Sequence, residues 1–277
     1  MVNAYLDSLG LAVLENHWKT LLGSALACNF IVQLSQLICP MLFPATYPKL
    51  LGARKLNWDV HVVSSVHAIV IVFLSVPLLW NETLLKDKIF GYDFYPGQVY
   101  AVACGYFLWD TVHSIRHLKE FGIGFVFHGI CSFSVFILSF RPFLQYYGSV
   151  FLMFELSTPF LNIHWFMDKL GMTGTIYQLI NGIILLALFL GVRIVFGIYM
   201  SYQTYQTAIL VVDQIPWHLI IVYSVANVVL NSLNIYWFYK MIESLMKRFR
   251  PNKKSSKGNV KEFTEENGKD PVRTKRT

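Results

Sequence analysis

His128, Asp110 and Glu155 are the residues of this chain best suited to chemistry. His128 sits in "FVFHGICSF" with no charged neighbour in sequence. An imidazole in that setting can act as a general base toward an alcohol or amine, or accept a group covalently. A carboxylate commonly orients such a histidine. Asp110 in "GYFLWDTVHSIRH" and Glu155 in "MFELSTPF" are the two candidates. Each also has a structural reading. Asp110 can cap or pair inside the protein, with His113 one turn away, because buried charges are normally paired. His128 must find a partner on another helix in either case.

A metal reading starts from Asp110, His113 and His117, whose spacing places three potential ligands on one helical face. Histidine-box iron enzymes of membranes collect about eight histidines into repeated clusters. This chain has eight in total, and His17, His67, His164 and His218 are scattered, so no metal is expected. His117, beside Arg116 and Lys119, belongs at the headgroup level. The four cysteines, Cys28, Cys39, Cys104 and Cys131, lie in apolar stretches and read as small buried hydrophobes.

The elements that hold these groups are read from hydropathy. Of 277 residues, 55% are hydrophobic and 14% charged, against about 25% charged in a soluble domain. The mean hydropathy is +0.48. Continuous apolar runs long enough to cross a bilayer as helices predict an all-α polytopic membrane protein, and their continuity argues against a membrane barrel. About seven spans are expected, over roughly 18–43, 57–79, 96–115, 121–140, 144–166, 173–199 and 216–241, with a kink at Pro159 in the fifth. The opening "MVNAYLDSLGLAVLENHWK" lacks a basic n-region and carries Asp7 and Glu15. It is expected to lie on the membrane surface rather than to be a cleavable signal.

The net charge of +7 is concentrated in the tail. Residues 251–277 read as a disordered basic segment able to touch anionic lipid. No recognisable motif accompanies the charge, so nucleic acid is not an expected partner. Basic residues bias one set of loops, with Lys49, Arg54 and Lys55, then Arg116 and Lys119, then Lys169. That bias predicts a cytosolic C-terminus and a luminal or external N-terminus. The final "RTKRT" weakly imitates a dibasic retrieval signal of the endoplasmic reticulum.

Rise along a helix turns position into depth. Asp110 and His128 fall about 6–12 Å in from the cytosolic edge. His61 lies near that level, His67 deeper, and Glu155 about ten residues from its cytosolic end. Asn227, Asn231 and Asn234 share one helical face. Polar groups facing lipid would be costly. The sequence therefore predicts one polar chamber opening toward the cytosol. Arg193, in the sixth span, does not fit that layer.

Five stretches together resemble a known family. "DVHVVSSVHAIVIV" (59–72), "GYFLWDTVHSIRH" (105–117), "FVFHG" (125–129), "ELSTPFLNIHWFMDKLG" (155–171) and "NVVLNSLNIYWFYKMI" (227–242) occur in the order of the TLC domain. That module is shared by the translocating-chain-associating membrane protein and the ceramide synthases. The chain looks most like the TLC-domain-containing proteins once called transmembrane protein 56. The resemblance covers about 54–250 and implies a six-helix bundle around a central cavity. Residues 1–53 would supply a first helix packed outside it. It further implies an endomembrane location and membrane lipids or fatty acyl chains as partners. His67, Asp110, His128, Glu155 and Asn162 fall on motif positions. The ceramide synthase motif has two consecutive histidines, whereas here Phe127 precedes His128 and Gly129 follows.

Two functions follow from the resemblance. One is lipid homeostasis, in which the bundle binds lipid to regulate or sense membrane composition, with His128 and Asp110 as a structural pair or headgroup contact. The other is acyl transfer from acyl-CoA by His128, oriented by Asp110 or Glu155. His61, His67, His113, Asn162, Asn227, Asn231 and Asn234 would line the substrate, and Arg54, Lys55, Arg116 and Lys119 would meet CoA phosphates. No tightly bound cofactor is expected, and self-association into a homodimer is allowed.

Overall fold

The computed structural model describes residues 10–249. The expected basic tail 251–277, its "RTKRT" end and the beginning of the N-terminal segment lie outside the described residues. Seven long helical rods follow one another among the described residues. They are α1 (Trp18–Leu42), α2 (Ala53–Ser75, extended by a 3-10 turn to Trp80), α3 (Phe94–Arg116) and α4 (Ile123–Leu138). Then come α5 (145–169), α6 (Ile176–Ile209) and α7 (Trp217–Phe249). The fold is all-α, as the apolar runs predict.

Four of these helices are long and apolar enough to cross a membrane by length and composition: Trp18–Leu42, Ala53–Trp80, Ile176–Ile209 and Trp217–Met246. The expectation of about seven such helices is corrected to four, for identifiable reasons. The α3 helix carries Gln98, Asp110, His113 and Arg116 within its length. The apolar α4 has 16 residues, about 24 Å at the usual helical rise. The α5 rod is interrupted by a 3-10 segment, Met153–Ser157.

That interruption has a local cause. Pro159 lies in the first turn of Thr158–Lys169, so it has no N–H to give to the Glu155 carbonyl four residues back. The Thr158 N–H bonds to the Glu155 carbonyl instead, and three-residue spacing is the 3-10 pattern. Proline thus acts as the expected breaker, but the altered backbone lies on its N-terminal side and carries Glu155 with it. In α6 the run Phe189–Phe196 is a π-helix, the wide turn that proteins use sparingly and often near functional groups.

The rods pack as neighbours in the order α2, α3, α4, α7, α6, α5 and back to α2, while α1 lies across α3 and against α2. Two close approaches fix this arrangement. A Cβ on Gly105 would run into the backbone of α1 at Leu21, and one on Gly129 would meet Thr111 Oγ1 at 2.6 Å. Only glycine lets α3 lie that near α1, and α4 that near α3.

Polar anchors secure both ends of α1. At the basic-loop end, buried Asp59 accepts hydrogen bonds from Ser35 Oγ (2.6 Å), Tyr47 Oη (2.8 Å) and Gln36 Nε2 (3.2 Å). Trp58 beside it is fully buried among Phe43, Tyr47, Trp165 and Phe166. At the other end His17 is fully buried, 2.7 Å from Tyr92 Oη, with its ring against Phe94 and Phe140. The stretch before it forms a short 3-10 helix, Ala12–Asn16.

Candidate functional site

A cavity of about 480 Å³ lies between α4, α5, α6 and α7, touched by Phe107 of α3. One pole is polar and is lined by His128, Glu155, Arg193 and Asn234, with Asn231, Asn227 and Ser201 next along the wall. From there it runs between aromatic and aliphatic side chains such as Phe136, Phe143 and Tyr223 to Ile215 and Leu219. Measured along α7 from Leu219 to Asn234, its length is about 22 Å at the usual helical rise.

The polar pole is organised by Arg193, which the π-turn of α6 presents to α5 and α7. Its Nε donates to the Phe154 carbonyl (3.0 Å) and Ser157 Oγ (2.9 Å). Its Nη2 donates to Thr158 Oγ1 (2.9 Å) and its Nη1 to Asn234 Oδ1 (3.4 Å). Nη2 also stands 3.6 Å from Glu155 Oε1, with both side chains about nine-tenths buried. The rings of Phe154 and Phe189 flank the guanidinium at 5.9 and 5.2 Å. Arg193, the one charged residue of a 34-residue helix, is satisfied here by one carboxylate and a shell of neutral acceptors, as a buried cation requires.

His128 faces the cavity next to this layer. Its ring contacts Phe107 (6.3 Å between centroids) and Trp237 (5.5 Å). Among the described residues no hydrogen bond joins His128 to Asp110 or Glu155, so the expected imidazole–carboxylate pair is not assembled. Glu155 is paired with Arg193 instead. Asp110 does not line the cavity, although it lies close enough to Glu155 for the two carboxyl groups to interact electrostatically.

The remaining sequence candidates divide by location. Asn227, Asn231 and Asn234 all line the cavity, on the shared face their spacing predicts. Asn227 Nδ2 donates to Ser201 Oγ at 2.9 Å, and Asn231 Nδ2 to Ser201 Oγ at 3.1 Å. His61, His67, His113 and Asn162 lie elsewhere. His61 stacks on Trp165 at 3.9 Å with its Nδ1 against the Asn57 carbonyl. His67 is buried and stacked on Tyr106 at 3.7 Å. His113 binds the Trp109 carbonyl at the end of α3, and Asn162 donates to Ser64 Oγ at 3.1 Å. For His61, His67 and Asn162 the packing is set by partners on other helices that spacing within one helix does not reveal, whereas His113 is held by its own helix.

Arg54 and Lys55 stand at the start of α2, with Lys55 Nζ over the Tyr47 ring, and Arg116 and Lys119 are exposed at the end of α3. All four are at the end of the bundle away from the cavity. The cavity occupies the half reached from the links around 139–144 and 210–216, so the expected chamber opening toward the basic loops is corrected. Its polar pole is a floor between the cavity and the basic end. No group of three or more His, Cys, Asp or Glu side chains converges among the described residues in a way that could hold a metal ion.

Comparison with known proteins places this architecture. The profile of the TLC domain matches residues 57–243. An uncharacterised TLC domain-containing protein of Schizosaccharomyces pombe is 42% identical over 92% of this chain and 88% of its own length. Topoisomerase I damage affected protein 4 of Saccharomyces cerevisiae is 33% identical over 71% of this chain and 72% of its own. TLC domain-containing protein 4 of Xenopus tropicalis is 30% identical over 74% and 81% respectively.

Proposed function

The chain belongs to the TLC domain family, and from that premise we propose that it handles membrane lipid by holding one acyl chain in the cavity between α4, α5, α6 and α7. The observation that carries the reading is the shape and polarity of that cavity: one polar pole, a long apolar barrel and a length of about 22 Å. One leaflet of hydrocarbon is about 15 Å deep, half of the ~30 Å core. A cavity somewhat longer than a leaflet suits a single extended chain with its polar end at the Arg193 layer. Its physiological sense is regulation or sensing of membrane lipid composition, in the group that includes TLC domain-containing protein 4.

In this reading the six rods from α2 to α7 close around the interior, and α1 covers them from outside. The basic-loop end faces the cytosol of an endomembrane, with the C-terminus on that side. The test is the lipid content of the purified chain. Gently solubilised protein is expected to carry about one lipid or fatty chain per molecule by mass spectrometry, and Ala208→Trp, which intrudes into the apolar barrel, is expected to lose it. Folded wild-type protein without bound lipid sinks the reading.

A second reading, acyl transfer from acyl-CoA, is favoured by the position of His128 on the cavity wall beside the Glu155–Arg193 pair. Labelled long-chain acyl-CoA supplied with sphingoid bases and lysophospholipids would then give a product or an acyl adduct. His128→Ala and His128→Asn would both abolish it. Under the lipid-holding reading, His128→Asn keeps function because it retains a polar hydrogen-bonding group.

A further inference from the structure

We infer that the lipid held in this cavity has an uncharged head bearing an O–H or N–H donor, and that this donor binds Asn231 Oδ1. The inference rests on the lipid-holding reading above and names the class of ligand. It begins with an acceptor that has no partner. Asn231 Oδ1 is buried from solvent and accepts no hydrogen bond, while its residue lines the cavity. The orientation of the amide is fixed by its neighbours. Asn231 Nδ2 stands 2.9 Å from the Asn227 carbonyl, 3.1 Å from Asn227 Oδ1 and 3.1 Å from Ser201 Oγ. Rotating the amide would set its oxygen against two oxygens that can only accept, so the free oxygen stays free. A buried acceptor without a donor is costly, and a ligand donor removes that cost.

Charge on the cavity wall selects the head further. Among the described residues Arg193 and Glu155 are the only guanidinium and carboxylate on the wall, and they neutralise each other. The guanidinium already donates to Phe154, Ser157, Thr158 and Asn234. A phosphate or carboxylate would find no free cation, and an ammonium no free anion. Asn231 lies about 18 Å along α7 from Leu219, so a head at Asn231 leaves the apolar barrel for its chain. Ile220, Ser224 and Val228 of α7 line the cavity and are exposed on the flank of the bundle. They mark a slot by which a chain can enter sideways from the bilayer.

The test uses the full chain, delipidated in detergent, and four probes sharing one oleyl chain: oleyl alcohol, monooleoylglycerol, methyl oleate and oleate. Binding is read by displacement titration and by retention in mass spectrometry. Oleyl alcohol and monooleoylglycerol are expected to bind about tenfold more tightly than methyl oleate, which only accepts hydrogen bonds. Oleate is expected to be weaker than oleyl alcohol at neutral pH. Asn231→Leu should erase the preference for the alcohol over the ester while leaving methyl oleate bound. Equal binding of alcohol and ester by wild type, or tightest binding of oleate, overturns the assignment of the head without needing the variant to fold. Retention of none of the four probes by folded wild type removes the lipid-holding reading itself, and the inference with it.

Discussion

Arg193→Met puts the polar pole to its sharpest test. The substitution keeps much of the side-chain volume and removes the charge. Glu155 is then left as a buried carboxylate whose cation stood 3.6 Å away. At an effective dielectric of about 20, a pair at that separation interacts by about 4–5 kcal/mol. Breaking buried pairs by removing one partner costs about 3–5 kcal/mol, so the two routes to the magnitude agree. The neutral contacts adjust more easily. Ser157 Oγ already donates to the Phe154 carbonyl at 3.1 Å, which leaves Asn234 Oδ1 as the main acceptor losing a donor. Replacing both charges, as Glu155→Leu with Arg193→Met, leaves no uncompensated ion and should recover most of the loss. The assay is a double-mutant cycle on unfolding in a fixed detergent micelle. The single change is expected to lower the midpoint by about 6–20 °C, and the double change by much less. A loss below about 1 kcal/mol for Arg193→Met, or a double mutant as unstable as the sum of the singles, would refute the pair as the organising element.

Other substitutions probe the fold and the cavity separately. Gly105→Ala places a Cβ against the backbone of α1 at Leu21 and is expected to cost about 1–3 kcal/mol, read as a lowered unfolding midpoint. Asp59→Leu removes the common acceptor of Ser35, Gln36 and Tyr47; about 2–5 kcal/mol should be lost, and α1 should become more open to proteolysis. Val212→Trp narrows the apolar end of the cavity and should shift co-purified lipid toward shorter chains in mass spectrometry, without lowering the unfolding midpoint.

The long helices were legible because each is written as a continuous apolar run ended by proline, glycine or charge. The first was expected over 18–43 and spans Trp18–Leu42; the last was expected over 216–241 and runs on from Trp217 to Phe249. Their bilayer-crossing competence was harder to read, since a run of adequate length can be carried by a short helix, as in α4, or divided by a 3-10 turn, as in α5. The asparagine face of α7 was legible from spacing alone. Arg193 was the main omission. It stood outside the expected polar layer, yet its signal was present: a single cation in the longest apolar helix, for which a buried carboxylate must exist elsewhere. Glu155, carried on the 3-10 segment that precedes Pro159, answers that requirement. His61 and His67 could not be sorted by sequence, because their packing on Trp165 and Tyr106 depends on how α2 meets α5 and α3.

The side of the cavity ranks the two functional readings. Depth along single helices places His128, Glu155 and the asparagines near one level but does not say on which side of that level the space lies. Packing decides it, and the cavity extends away from the basic loops. For acyl-CoA arriving at Arg54, Lys55, Arg116 and Lys119, the chain would have to thread the layer made by Glu155, Arg193 and Asn234 before reaching the apolar barrel. That layer is closed by hydrogen bonds and an ion pair, and opening it would cost what breaking the buried pair costs. A lipid entering between α6 and α7 meets no such barrier: Tyr205 and Ile209 on one helix and Ile220 and Val228 on the other line the cavity and are exposed on the flank. The same arrangement puts the head of an entering lipid next to His128 and Asn231 with its chain behind. The lipid-holding proposal therefore needs no change in the resting geometry, whereas acyl transfer requires either a second route for the thioester or an opening of the polar floor.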